Sequence, residues 1–327
     1  MIKIVDVARE AGVAPSTVSR ALNNHPTVGE EYVRRVKVAA EKLGYRPNGV
    51  ARSLRRQSTD FIALIIPDIG NHFHTAVARG VEDVAREAGL SVLLCNSDED
   101  AAKEATYIGV ALSEKVAGVL LCPHNSDSDI SLLTENSIPV VAIDRTLGEN
   151  IDAVTTDSVH GAREATAHLI REGWTRPGCS AGPTDIETAK WRAQGYVEAV
   201  LAAGGEPIVE HGTFDQQGGA DTAAALLDRE DPPDSLFVSS EQMALGVLAE
   251  LKRRGLEPGR DIGILTFDDT PWAQLIYPPM TVVEQPAYDV GAKAARMLVE
   301  RIRGGSRLEA RQVSLPTRLI VRGSSLR

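Results

Sequence analysis

From Phe61 onward the chain alternates short apolar runs with amphipathic helical stretches: FIALIIP, LSVLLCNS, AGVLLCP and VVAIDR, then, after an interval, SLFVSS and IGILTFD. Runs of this length, rich in Val, Ile and Leu and bounded by turn residues, suit strands covered on both faces. Strands separated by helices pair in parallel through right-handed crossovers. Because the pattern occurs as two successive sets, the fold class is α/β, with two doubly wound parallel sheets rather than one large one. At 327 residues the chain exceeds what a single core usually supports, which fits two lobes plus a smaller module. One segment, PGCSAG at 177–182, sits in this pattern with few branched apolar side chains, and the sequence supplies no reason for it.

The first 45 residues differ: they show three short helical patterns and no strand, broken at Ala11-Gly12-Val13 and at Asn23-Asn24-His25-Pro26. In IVDVAREAGVAPSTVSRALN the apolar residues Ile4, Val7, Ala8, Val13, Val18 and Leu22 fall at helical spacings on either side of Gly12. Two short helices joined by a tight glycine turn make either an ordinary helical hairpin or a helix-turn-helix whose second helix enters a major groove. The second helix carries Ser16, Thr17, Ser19, Arg20 and Asn23, hydrogen-bonding residues rather than the Glu/Lys mixture of a merely solvated face, which favours the DNA-reading alternative.

The net charge of −10 argues against a nucleic-acid partner until it is divided by region. Residues 1–57 hold 11 Lys/Arg against 5 Asp/Glu, whereas the rest holds 24 against 40. A basic head on an acidic body places the polyanion contact on the head. Between them lies YRPNGVARSLRRQST, whose Arg-Pro start ends the preceding helix and whose basic and small residues cannot form a core. It reads as a hinge, in which Asn48 to Leu54 could make two helical turns.

No window offers the roughly 18 uninterrupted apolar residues of a membrane span, and MIKIVDVAREAG lacks the apolar stretch of a secretion signal, so a cytoplasmic protein is expected. Cys95, Cys122 and Cys179 are widely spaced and favour reduced core thiols over a metal or redox pair. Dinucleotide, Walker, nucleophile-elbow and zincin motifs are missing, and adjacent Asp268 and Asp269 should diverge at one strand end. No enzyme, cofactor or metal site is expected.

The run DVAREAGVAPSTVSRALN, then VRRVKVAAEKLGYRPN and ARSL, resembles the LacI/GalR family of transcriptional regulators, and the likeness continues through AIDR, MALGVL, FDD, MTVVEQP and LIVRGSS. The resemblance implies an all-α helix-turn-helix head (1–45), a hinge (46–59) and a periplasmic-binding-protein-like core for effector binding and dimerisation (60–327). The first lobe would span about 60–156 and 286–315, the second about 157–285 and 316–327. It implies a homodimeric repressor with two partners, operator double-stranded DNA and a small polar effector such as a sugar. A second reading is a catabolite-control-type regulator switched by a phosphoprotein, because VARGVEDVAREAG and LLCNSDED resemble that branch. Dimer contacts are expected on first-lobe helices, around the apolar stripe Val77, Val81 and Val84.

By the same resemblance Pro15, Ser16 and Arg20 face base edges, with Arg20 suited to bidentate guanine contact, while Thr17, Ser19 and Asn23 contact phosphate or fix the helix. The hinge segment from Asn48 to Leu54 matches the family's minor-groove element, with Leu54 as the apolar wedge and Ala51 as the small residue allowing close approach. Lys3, Ala14 and Gly29 depart from the usual Ser or Thr caps, Glu31 adds negative charge, and Gly49 weakens a hinge helix. The implied effector residues are Asn71, His72, Phe73, His74, Asp144 and Arg145 from the first lobe, and Arg192, Phe214, Ser240, Glu241, Asp268 and Gln285 from the second. Carboxylates and an arginine beside an aromatic ring suit a polyhydroxylated ligand. Phe73 and Phe214 could equally be core aromatics, Asp144 and Asp268 strand-end caps, and Arg145 half of a structural ion pair. Histidines in NHFH, where the family usually has apolar residues, could admit an anionic or strongly polar effector, could titrate near neutrality, or could be exposed loop histidines.

Overall fold

The computed structural model describes residues 2–22, 27–45, 59–304 and 309–327. The chain divides into two compact units, residues 1–59 and 60–327. In the first, helices α1 (Ile4–Ala11), α2 (Pro15–Leu22) and α3 (Glu30–Lys42) enclose a small core of Val7, Ala8, Ala11, Val18, Ala21, Val36 and Ala39. Gly12 ends α1 in the left-handed conformation (φ 63°), which permits the sharp turn into α2. Arg35 of α3 closes that turn, its Nη2 donating to the Ala11 carbonyl at 2.6 Å. Ala14 and Gly29 bring no capping side chain, but at the start of α1 the Asp6 carboxylate accepts from the Lys3 N–H at 2.8 Å. Half of a capping box thus survives the departure at Lys3.

The second unit contains two six-stranded sheets. One has the order β11-β5-β4-β3-β1-β2, built from β1 (Phe61–Ile66), β2 (Ser91–Asn96), β3 (Val119–Leu121), β4 (Val140–Ile143), β5 (Asp152–Thr156) and β11 (Gln312–Leu315). The other has the order β12-β10-β9-β8-β6-β7, built from β6 (Pro177–Ala181), β7 (Ile208–His211), β8 (Ser235–Val238), β9 (Gly263–Phe267), β10 (Thr281–Glu284) and β12 (Arg318–Ile320). All pairings are parallel except β10 with β12. Each sheet reverses its winding once, between β1 and β3 and between β6 and β8. The strand C-termini beside these reversals are where doubly wound sheets hold ligands.

Helices α4 (His72–Glu87), α5 (Ala101–Ser113), α6 (Ser131–Glu135) and α11 (Ala287–Gly304) accompany the first sheet, and α7 (Ser158–Arg171), α8 (Glu187–Ala202), α9 (Gln216–Leu227) and α10 (Glu241–Arg254) the second. Helices α4 and α11 meet backbone to backbone. A Cβ on Gly80 would fall 2.1 Å from the Tyr288 carbonyl oxygen, and one on Gly291 2.1 Å from that of Val77. This contact corrects one expectation from the sequence. Val77, Val81 and Val84 are buried in the first lobe's own core with Val290, Ala294 and Leu298 of α11, so they offer no surface to a second chain.

The PGCSAG segment also gains a physical reason. Cys179 and Ala181 of β6 face a cluster containing Trp174, Tyr196, Phe237 and Phe267, so the aromatic rings supply the volume that small strand residues leave. On the other face Ser180 shares a hydrogen bond with Thr222 at 2.6 Å, and a Cβ on Gly178 would meet Pro233 at 2.9 Å.

Candidate functional site

A cleft of about 530 Å³ opens between the C-terminal ends of the two sheets, a size that suits a small organic ligand. The fourth strand of each lobe in chain order delivers an aspartate to it. Asp144 follows β4 and Asp268 follows β9; both are buried, and both hold the left-handed conformation, at φ 67° and 71°. Each backbone N–H donates to the neighbouring strand, Asp144 to the Val154 carbonyl and Asp268 to that of Val283, both at 2.9 Å. An L-residue held in this region costs about 1–2 kcal/mol, and such strain concentrates at functional sites.

On the second lobe, Arg192 of α8 is only 5% exposed. Its Nη1 donates to the Ser239 carbonyl at 2.7 Å, its guanidinium lies 4.2 Å from the Phe267 ring centroid, and its buried Nε has no hydrogen-bond partner. Burial lowers its pKa, opposed by Asp268 and Asp144, so these carboxylates help to hold its charge. Gln285 bridges the lobes: its Nε2 donates to Asp268 Oδ1 at 2.7 Å, and its Oε1 accepts from Thr156 Oγ1 at 2.6 Å. A second bridge runs from Thr146, whose N–H and hydroxyl donate to the Glu187 carboxylate at 2.7 and 2.9 Å. Phe214 packs against Gly182, where a Cβ would fall 2.3 Å from the ring, and Ser240 caps α10 by accepting from the Met243 N–H.

Burial pushes the Asp268 carboxyl up to about 6, against the opposing pull of Arg192 and the Gln285 hydrogen bond. The folded protein therefore binds this proton more tightly than the unfolded chain. The ionisation penalty is present above pH 6, shrinks as the pH falls from 6 and vanishes below about 4. Asp268→Asn, measured against wild type by urea denaturation, is expected to be more favourable at pH 7.5 than at pH 4 by about 2 kcal/mol. A difference independent of pH would show that Asp268 is not held as described.

The structure brings Asn71, Phe73, His74, Asp144, Arg145, Arg192, Phe214, Ser240, Asp268 and Gln285 to the cleft. It does not bring His72 or Glu241. His72 opens α4 pointing outward and exposed, while Glu241 is buried and accepts from Trp272 Nε1 at 3.3 Å. Arg145 lines the cleft but turns its two terminal nitrogens to the protein: Nη1 and Nη2 reach Glu99 at 2.8 and 2.5 Å, and Nη1 also reaches the Pro123 and His124 carbonyls, while its buried Nε has no hydrogen-bond partner. Asp268 and Asp269 do diverge, Asp269 pairing with Arg322 at 2.6 Å.

Sequence reasoning missed Asp68, Asp98, Glu99, His124, Asp185 and Asp215. Among the described residues seven carboxylates thus line the cleft against two guanidiniums, one of them neutralised by Glu99, while Asp98 is paired with Lys103. His74 is buried, and burial lowers its pKa. That balance disfavours the anionic alternative drawn from the NHFH histidines and leaves the strongly polar one, as an uncharged ligand.

In the first unit, Val18 and Ala21 turn α2 toward the core, and Pro15, Ser16 and Arg20 stand exposed, with Thr17 and Ser19 half-buried at the edges of that face. Asn23, Asn48, Ala51 and Leu54 lie outside the described residues.

Comparison with known proteins follows the same division. Residues 3–48 match the profile of bacterial regulatory proteins of the lacI family, and residues 166–325 match a periplasmic binding protein-like domain. The ribose operon repressor of Halalkalibacterium halodurans is 36% identical over 322 residues, covering 98% of this chain and 96% of its own. A structure of the transcriptional regulator CelR in complex with cellobiose is 33% identical, with a TM-score of 0.76 over 99% of this chain and all of its own. The lac repressor dimer bound to operator and an anti-inducer superposes with a TM-score of 0.88 over 100% of this chain and 99% of its own; at 24% identity it supports the fold.

Proposed function

The chain belongs to the LacI family of bacterial regulatory proteins, and on that premise we propose that it is a cytoplasmic homodimeric repressor whose helix α2 reads operator DNA under control of a small ligand in the cleft. The observation that carries this reading is the union, in one chain, of a basic head exposing Ser16 and Arg20 with a ligand-sized cleft whose polar groups converge from both lobes. The ligand class follows from the lining. Carboxylates at Asp144 and Asp268 accept from hydroxyls, Arg192 donates to them, and Phe73 and Phe214 cover apolar faces, as an uncharged sugar or related polyol requires. A cleft equipped in this way favours a small effector over a phosphoprotein as the switch.

Thermal denaturation of the full chain across neutral sugars, nucleosides, polyols and sugar phosphates tests the assignment, because a ligand of the folded state stabilises it by RT ln(1 + [L]/Kd). Neutral hydroxyl-rich compounds such as ribose and cellobiose are the expected class. A melting shift confined to sugar phosphates or acids would contradict it.

On DNA, Arg20 is assigned to bidentate contact with guanine. Arg20→Ala is expected to weaken operator binding by about 1–3 kcal/mol and to relax preference at one base pair in each half-site. The check is a binding series over single-base operator variants at fixed salt. Equal weakening on operator and on random DNA would make Arg20 a phosphate contact instead.

A further inference from the structure

At the first lobe's side of the cleft, His74, Cys122 and Asp144 each present one ligand atom, and the three atoms lie within 4.8 Å of one another. We propose that they form a binding site for a thiophilic divalent metal ion of the zinc class. The proposal does not depend on which organic ligand the cleft takes.

The fold holds all three residues firmly. His74 lies in the first turn of α4 after β1, Cys122 directly follows β3, and Asp144 directly follows β4, three neighbouring strands of one sheet. The Cys122 N–H donates to the Ile65 carbonyl and the Asp144 N–H to the Val154 carbonyl, both at 2.9 Å, and all three side chains are at least nine-tenths buried. Ligands placed by backbone hydrogen bonds at strand ends need little reorganisation to converge on an ion.

The donor chemistry then selects the ion. Imidazole, thiolate and carboxylate together suit zinc and its neighbours, whereas magnesium and calcium take oxygen donors alone. His74 Nδ1 lies 3.1 Å from the Asp68 carbonyl oxygen, which can only accept, so the neutral ring keeps its lone pair on Nε2. A ring N–H given to a backbone carbonyl is how metal-binding histidines are usually oriented. Asp144 supplies the other indication. Its Oδ1 is buried with no hydrogen-bond partner, and its Oδ2 meets the Cys122 thiol at 3.9 Å. A buried carboxylate so poorly supplied with donors is costly unless a cation or donor satisfies it.

Charge and proton bookkeeping are consistent with a dication. As the metal–sulfur bond forms, the Cys122 S–H proton leaves to solvent, so one thiolate and one carboxylate balance the two positive charges. The nearby Arg145 guanidinium does not oppose this, being offset by its two bonds to Glu99. Three protein ligands leave a tetrahedral ion one further position for water or a ligand hydroxyl.

Titration of the purified full-length protein with cobalt(II), which reports its ligands optically, tests the site. One equivalent should produce a near-ultraviolet sulfur-to-cobalt charge-transfer band, displaced by zinc(II). Cys122→Ser should abolish the band, and Asp144→Asn should weaken cobalt binding by about tenfold or more, the loss that even an outer partner of a metal site produces. Cys95→Ala, which removes a buried thiol outside the trio, should leave the band unchanged. Absence of the band in the wild-type protein, which needs no variant to fold, or its persistence in Cys122→Ser, overturns the proposal.

Discussion

Arg192→Ala is expected to weaken binding of the cleft's ligand by more than about 100-fold while leaving the operator affinity of the ligand-free protein intact. A hydrogen bond from a charged group contributes about 1.5–3 kcal/mol, so losing two of them removes at least about 3 kcal/mol, and each 1.4 kcal/mol is about tenfold. The side chain is preorganised for such contacts, fixed by the Ser239 carbonyl on one edge and by the Phe267 ring on one face. Its removal also deprives Asp268 of the cation that opposes its protonation, so the carboxyl would rise above 6 and function less well as an acceptor. Arg192→Lys should rescue little, because an ammonium cannot reproduce a planar fork stacked on an aromatic ring. Calorimetric titration with the ligand found by thermal shift measures the effect. An unchanged midpoint would make Arg192 a structural residue.

Asp152→Ala is expected to destabilise the core unit by about 3–5 kcal/mol, the cost of leaving a buried charge without its partner. Asp152 opens β5 with its side chain fully buried and accepts from Arg301 Nε and Nη2 at 2.9 and 2.7 Å and from the Arg311 N–H at 2.7 Å. These bonds fasten β11 onto β5 and α11 onto the sheet, closing the first lobe after the chain has returned from the second. Both partners hold the carboxyl below its ordinary range, against a burial effect that would raise it. A shift of the urea midpoint worth less than 1 kcal/mol, at unchanged slope, would place the closure of the lobe elsewhere.

Most strands legible in the sequence are apolar and buried on both faces, such as FIALII of β1 and GILTF of β9, whereas β2 was legible by its apolar run alone and leaves Leu94 exposed at the sheet edge. Strands β5 (DAVTT), β7 (IVEH) and β11 (QVSL) carry no such run, because polar groups there are satisfied by partners that only the fold supplies, as Asp152 is by Arg301. The helical stripe at Val77, Val81 and Val84 was correctly apolar, but periodicity says that a face is buried and not against what; Gly80 and Gly291 carried that information as a close helix crossing. Arg192 and Asp268 were legible only through the family resemblance, Asp268 within its FDD motif. Glu99 was not, since its approach to Arg145 rests on left-handed turns at Asp98 and Glu99 that non-glycine residues rarely signal. Cys122 and His74 are far apart in the chain, and only the sheet order brings them together.

The central claim is that ligand in the cleft controls binding to DNA. The bridges from Thr156 through Gln285 to Asp268, and from Thr146 to Glu187, tie the lobes' relative orientation to the groups that line the cleft. The first lobe begins in sequence where the hinge segment ends, so lobe orientation is the variable both ligands must bias. Coupling between two binding sites is reciprocal, with typical factors of about 5–150. The direct test measures operator affinity with and without saturating ligand, and ligand affinity with and without saturating operator, on the same full-length protein. The account predicts that both affinities change by one common factor of at least about 5, and that Arg192→Ala shows no ligand effect on operator affinity. Operator affinity unchanged by a ligand that demonstrably occupies the cleft would contradict it.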